Sequence, residues 1–201
     1  MLGQNATTSP GLRRREPTAP VRMVDTMSRQ VELGPDDGTL TLRTGVTGRA
    51  ARTGHRLTIG FERWRAVVVI DDAPASVTLT VDVESLQVLS GEGGLTPMTA
   101  PERLVARTNA LKSLGSSRHP EIVFTADQVT PLDDGYRLVG ELAIGGTTRK
   151  HTVDVDSDDA VVRGESPVVQ TDFGVKPYSL MMGALKVADE VVVALEATLP
   201  R

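Results

Sequence analysis

The chain has 201 residues, carries a formal net charge of -4, and is 39% hydrophobic and 24% charged. This length suits one domain with a sizeable core. The acidic balance gives no basic footprint for nucleic acid, and no window reaches the ~18 consecutive apolar residues that a transmembrane helix needs. The sequence therefore predicts neither a nucleic-acid partner nor integral membrane association. The lack of cysteine excludes disulfides and thiolate metal sites.

The amino-terminal segment differs in composition from the rest of the chain. Residues 1–30 are rich in Thr, Ser and Pro, contain the basic run Arg13–Arg15, and show no periodic apolar pattern. This composition predicts a disordered basic tail followed by one domain over residues 31–201. The arginine run suggests an export signal, but the residues after it are not the apolar stretch that such a signal requires. We therefore expect a cytoplasmic protein, with a true start at Met23 or Met27 left open.

From Gly38 onward, apolar side chains recur at every second residue, which predicts half-buried β-strands. The clearest case is the segment around Val77, Leu79 and Val81, where small polar residues fill the alternate positions. Similar alternation covers residues 39–46, 122–126, 136–144 and 191–197. Asp133-Asp134-Gly135 lies between two of these runs and predicts a hairpin turn, because glycine tolerates positive φ.

One segment departs from this period and predicts the principal helix. It runs from Pro101 to Lys112, with Pro101 in its first turn and Gly115 at its end. A second, weaker helical candidate lies between Ser179 and Leu185. Eight or nine strands with one helical insertion favour an antiparallel meander closed into a barrel. Alternation alone fits a β-sandwich nearly as well.

Several residues suggest catalysis, but none belongs to a recognisable motif. His55, His119 and His151 are the only histidines, and a metal site would need them to converge in the fold, since their spacing is long. Adjacent acids such as Asp71-Asp72 point in different directions, so turn formation explains them better than acid–base catalysis. The chain contains no nucleophile elbow, P-loop or dinucleotide-binding pattern. We predict no enzyme, no metal site and no cofactor.

An ordered set of motifs in the second half resembles the YceI-like family. In that family a helix leads to a His-Pro or Tyr-Pro step and an Ile-x-Phe strand, then a Gly-x-Leu strand, then an Asp-Phe-Gly-Ile turn. The matching residues here are His119-Pro120 with Ile122 and Phe124, then Gly140, Leu142, Gly145 or Gly146 and Thr148, then Asp172–Val175. Ala143 replaces a usual threonine, and the family's opening Trp-x-Ile-Asp motif is not evident. The segment Thr53–Leu57 instead resembles an actinobacterial-looking branch.

The resemblance covers about residues 45–199 and implies both a fold and a function. It implies a mainly β protein, an antiparallel lipocalin-like β-barrel of about eight strands with one principal helical insertion. A barrel of that size can hold one slender ligand. The implied function is non-catalytic binding of an isoprenoid or similar long-chain lipid. The alternative is a stress-related structural domain whose barrel is filled by its own side chains. The sequence also leaves open whether the protein forms a homodimer.

The segment Thr171–Lys186 is the best functional candidate within this framework. Its methionines can adapt to an irregular apolar ligand, and a lysine can meet an anionic headgroup. An equal alternative is a plug that packs one end of the barrel. For His55, a hydrogen-bonded structural role is the alternative to ligand contact. The predicted ligand-binding residues are His55, Leu79, Val81, Phe124, Phe173, Lys176, Tyr178, Met181 and Met182.

Overall fold

The computed structural model describes residues 28–158 and 160–200. Most of the predicted tail therefore lies outside the described residues. The principal helix, α1, is Ala100–Leu114, and short 3-10 segments connect several strands. The strands are Arg29–Leu33 (β1), Gly38–Thr47 (β2), His55–Phe61 (β3), Trp64–Ile70 (β4), Pro74–Asp82 (β5), Leu86–Gly93 (β6), Glu121–Leu132 (β7), Gly135–Ile144 (β8), Thr147–Ser157 (β9), Val161–Val169 (β10), Ser179–Leu180 (β11) and Leu185–Thr198 (β12).

The predicted fold class is confirmed: the protein is mainly β, with one curled antiparallel sheet and one principal helix. The described sheet has 12 strands rather than about eight. The additional strands carry weak sequence signals, because β1 begins at Arg29 inside the predicted tail and β11 has only two residues. The second helical candidate is wrong. Ser179 and Leu180 form β11, and Met181–Gly183 form a 3-10 turn.

The strands follow one continuous antiparallel path. Hydrogen-bonded neighbours run in the order β1-β4-β5-β7-β8-β9-β10-β12-β2-β3-β6, and β11 pairs with β12. The carboxy-terminal strand β12 lies between β10 and β2, so it joins the second half of the chain to the first. Antiparallel strands twist relative to their neighbours, and a sheet of this width curls until its two ends approach each other.

Apolar side chains, rather than strand pairing, connect the two edges of the curled sheet. No pairing joins β6 to β1 within the part of the chain that the structure describes. One buried cluster nevertheless contains Leu33 from β1, Trp64 from β4, and Leu86 and Val88 from β6. Packing of this kind shields sheet edges that would otherwise present unpaired backbone groups. The seam of the barrel is therefore a hydrophobic contact.

Helix α1 lies along β6 and is held by both apolar packing and polar contacts. Its residues Ala106, Ala110, Leu111 and Leu114 pack against the buried cluster that contains Trp64 and Leu86. The Thr99 backbone N–H donates to the Glu102 carboxylate at 2.7 Å, and Gly115 ends the helix with φ of 66°. The Arg107 guanidinium donates to the Leu86 carbonyl at 2.7 Å and to the Glu84 carbonyl at 2.6 Å. No residue of α1 is fully buried. Among the described residues, no helix is long and apolar enough to span a membrane.

Gly140 sits where β8 passes very close to β7. The register of β7 shifts between Ala126 and Gln128, which places Gly140 opposite the fully buried Ala126. A Cβ atom on Gly140 would lie 2.0 Å from the Thr125 carbonyl oxygen and 2.6 Å from the Ala126 Cα atom. Both are backbone atoms in a paired strand, so neither can move without disturbing the ladder.

We therefore expect Gly140→Ala to destabilise the protein by about 1–3 kcal/mol or more, the scale of overpacking in a closed core. Glu141→Ala is the matched control, because Glu141 is exposed on the same strand. Urea unfolding of both variants measures the difference. Equal stability of Gly140→Ala and wild type would mean that β7 and β8 are not so closely apposed.

Candidate ligand-binding site

The curled sheet encloses a cavity of about 590 Å³. This volume falls within the range of small-molecule sites in proteins, roughly 300–1,000 Å³. Strand alternation builds its wall: His151, Val153 and Val155 of β9 line the cavity, while Thr152 and Asp154 between them are exposed. The other long strands contribute Val, Leu and Ile side chains in the same way. The wall is therefore almost entirely apolar.

Helix α1 turns one face toward the cavity. The lining residues of the helix recur at helical spacing and include Val105, Ala106, Asn109, Ala110 and Ser113. Small and polar side chains dominate this face, and none of them is fully buried. The helix therefore borders the empty space instead of filling it.

One polar pair interrupts the apolar wall. His151 Nε2 and Ser166 Oγ, from neighbouring strands β9 and β10, are joined by a hydrogen bond of 2.7 Å. The rings of His151 and Phe124 are nearly perpendicular, with an interplanar angle of 88° and a centroid distance of 6.1 Å. Desolvation in this setting lowers the pKa of His151 below its usual 6.5. The imidazole is therefore neutral near pH 7, so one of its ring nitrogens carries a proton and the other can accept a hydrogen bond.

His55 both lines the cavity and ties down a neighbouring loop. Its Nε2–H donates to the carbonyl oxygen of Thr96 at 2.9 Å. Gly94 makes this approach possible, since a Cβ atom there would lie 2.5 Å from His55 Nε2. The structural hydrogen bond that the sequence left as an alternative is thus present. The same side chain also remains part of the cavity wall.

The structure brings most of the predicted ligand-binding residues to one cavity. Those that line it are His55, Leu79, Val81, Phe124, Phe173 and Tyr178. Lys176, Met181 and Met182 do not line it. Met181 and Met182 occupy a turn with φ of 50° and 53°, and both side chains are exposed, Met182 fully at 107%. Leu180 and Lys186 from the same segment line the cavity instead.

Sequence reasoning assigned no role to His151, Ser166, Gln170 or the helix face. The one available signal was that His151 shares a strand face with Val153 and Val155. Gln170 donates from Nε2 to the Ala188 carbonyl at 2.8 Å, beside the irregularity in β12.

Residues 28–158 and 160–200 contain no group of three or more His, Asp or Glu arranged to hold a metal ion.

Comparisons with known proteins agree with this architecture. A family model described as a YceI-like domain matches residues 24–199. Among solved structures, BcnA of Burkholderia cenocepacia is similar with a TM-score of 0.57 and 18% identity, covering 81% of this chain and 96% of that one. The YCEI protein of Campylobacter jejuni is similar with a TM-score of 0.55 and 12% identity, covering 71% and 84%. A search of curated proteins gives no match.

The curled antiparallel sheet around an apolar cavity defines a lipocalin-like protein. The match over residues 24–199 shows that this chain belongs to the YceI-like family, so the resemblance seen in the sequence is confirmed. The structural similarities lie at low sequence identity and show the fold alone.

The lowered pKa of His151 predicts a pH dependence of stability. The unfolded chain binds a proton to His151 near pH 6.5, whereas the folded chain does so only at lower pH. The free energy of unfolding should therefore fall as pH drops below about 6.5, by less than the limit of roughly 1.4 kcal/mol per pH unit for one proton. His151→Gln keeps a hydrogen-bonding group beside Ser166 but does not titrate.

Urea unfolding from pH 7.5 down to 5.5, in about half-unit steps, checks this expectation on the scale set by one histidine. We expect a shallower decline for His151→Gln than for wild type. Identical pH profiles would show that His151 titrates alike in the folded and unfolded chains.

Proposed function

We propose that this protein is a non-catalytic binding protein for an isoprenoid or similar long-chain amphiphilic lipid. The observation that carries the proposal is the cavity of about 590 Å³ with an almost wholly apolar wall. The YceI-like family is known for binding hydrophobic ligands in a barrel. Burying each CH₂ group contributes about 0.8 kcal/mol before ordering costs are subtracted, so a chain of several isoprene units suits such a space.

The proposed contacts divide into an apolar wall and two polar positions. Leu79, Val81, Phe124, Phe173 and Tyr178 would contact the hydrocarbon chain. A hydroxyl or carbonyl group on the ligand would hydrogen-bond to the pair formed by His151 and Ser166. An anionic headgroup would meet Lys186, which lines the cavity and is exposed. The cavity wall thus suits an amphiphile better than a pure hydrocarbon.

The neighbouring Ser and His side chains do not make a hydrolase the better proposal. A serine nucleophile needs a base that a third group orients. No carboxylate is hydrogen-bonded to His151 among the described residues, and Ser166 is buried in the strand wall. The pair therefore supports ligand contact rather than acyl transfer. We also propose that the protein is cytoplasmic and that it forms a homodimer.

The filled structural barrel is the alternative, and one pair of variants separates the two functions. Val153 faces the cavity and Thr152 faces out on the same strand. We expect Val153→Phe to lower the amount of co-purifying lipid per mole of protein while leaving the melting temperature nearly unchanged. Thr152→Phe should retain as much lipid as wild type. Native mass spectrometry and organic extraction of each purified protein measure the lipid.

The opposite pattern would support the filled barrel. In that case wild type carries no lipid, and Val153→Phe loses about 1–3 kcal/mol of stability, since an overpacked core has no space for the larger ring. Loss of lipid in both variants would mean that the outer face of β9, rather than the cavity, holds the ligand.

A further inference from the structure

Three loops meet around one end of the cavity and form a surface that we call the rim. The rim consists of residues 48–55, 93–99 and 176–186. The Ala50 backbone N–H donates to the Ala184 carbonyl at 2.8 Å, which joins the first loop to the third. The hydrogen bond of 2.9 Å from His55 to the Thr96 carbonyl joins the first loop to the second. The rim is therefore one continuous surface.

The cavity opens beside the rim. Each of the three loops contributes to the cavity wall, through Thr53, Met98 and Leu180 among others. Leu180 is exposed at the same time, and Val105 of α1 lines the cavity while 61% of its surface is accessible. Side chains that line a cavity and are also largely accessible mark the place where it reaches solvent. A ligand entering there would pass over the rim.

The rim presents unusually exposed apolar side chains. Leu95 is 80% exposed, Met181 is 70% exposed and Met182 is completely exposed. Scattered apolar residues are common on protein surfaces, but several that are exposed on connected loops bordering a cavity indicate an interaction site. Both methionines have positive φ, which non-glycine residues seldom adopt. The turn is therefore strained, and it holds two flexible apolar side chains away from the rest of the protein.

The first and third loops of the rim are positively charged, although the whole protein carries -4. Residues 48–55 and 174–188 contain no Asp or Glu. They contain the exposed cations Arg49, Arg52, Lys176 and Lys186. Within the described part of the chain, none of these four side chains takes part in an ion pair. A local positive field of this kind attracts an anionic surface.

We propose that the rim docks on the surface of an anionic lipid bilayer. Met181, Met182 and Leu95 would insert at the boundary between headgroups and acyl chains, and the cations would contact lipid phosphates. Exposed apolar side chains together with uncompensated cations supply the two contributions that hold a peripheral protein on an anionic bilayer, which are buried apolar surface and charge attraction. Docking would bring the cavity opening against the membrane. The inference goes beyond lipid binding, because docking is measurable whether or not the cavity holds a ligand.

The test is flotation of the full chain with vesicles of phosphatidylcholine, with and without phosphatidylglycerol. We expect binding only to the phosphatidylglycerol vesicles, and weaker binding at high salt because ions screen the charge attraction. The double variant Met181→Asn and Met182→Asn should bind about tenfold more weakly, since it loses the buried apolar surface. Asparagine tolerates positive φ, so the turn should be retained. The double variant Arg49→Gln and Arg52→Gln removes two of the four cations and should bind more weakly, with a shallower dependence on salt than wild type.

Matched controls lie away from the rim. Leu132→Asn removes an exposed apolar side chain at the β7–β8 hairpin, and Arg29→Gln removes an exposed cation at the first residue of β1, where it pairs with Ile70. Both controls should bind vesicles like wild type. Circular dichroism and melting temperature establish that every variant folds.

Three outcomes would overturn the docking proposal. They are no binding to either vesicle, equal weakening by rim and control variants, and a wild-type dimer in sedimentation velocity that the methionine variant abolishes. The last would assign the rim to contact between copies of this chain. Lipid extracted from the same preparations separates this proposal from the proposed function. If the protein holds lipid but does not bind vesicles, only the docking proposal is overturned. If it binds vesicles but never holds lipid, only the proposed function of the cavity is overturned.

Discussion

The interior of this protein depends on a mismatch between the span of the curled sheet and the size of the side chains on its inner face. The sheet is wide enough to curl around a central space, and the inward positions are mostly Val and Leu. The chain contains only three Phe, two Tyr and one Trp. Packed protein interiors leave few voids larger than a water molecule, and large side chains normally fill such a centre. Here short side chains cannot meet across it, so a cavity remains.

The wall is stable around this cavity because two buried clusters flank it. One cluster closes the seam through Trp64 and Leu86, and the other packs Phe124 against Phe173 and its neighbours. Several partly buried residues belong to both clusters, including Leu42, Leu79, Leu114, Ile122 and Val193. These shared residues also line the cavity. The hydrophobic contacts that hold the barrel together and the surface that meets a ligand are therefore the same set of side chains.

Hydrophobic periodicity predicted the strands that have one solvent-exposed face and one buried face. It identified β5, β7, β8 and β12, because their alternation is regular over many residues. It did not identify β3 and β6, whose patterns are interrupted by Gly60 and by Gly91 and Gly93. The two methionines were predicted to contact ligand because their side chains are flexible and apolar. Their placement depends instead on positive φ, which a methionine residue in a sequence does not indicate.

Periodicity could not reveal that the barrel is hollow, because an inward-facing Val gives the same sequence pattern whether the interior is filled or empty. It also could not reveal the polar pair in the wall. His151 and Ser166 lie 15 positions apart and meet only through the pairing of β9 with β10. Such a pair requires a register, and a register is set by turns and by neighbouring strands rather than by local sequence. The family resemblance supplied the fold but no residue of this pair.

The helix explains why the proposed entry and docking surface coincide. Strands on most of the wall are locked by hydrogen bonds on both sides, so opening the wall there would break a ladder. Helix α1 has no fully buried residue, and its apolar packing against the core comes from Ala106 onward, while Ala100, Pro101 and Glu102 in its first turn are exposed. Moving its first turn exposes little new apolar surface to water. The least costly route into the cavity therefore lies between this helix and the rim, where Met181 and Met182 project.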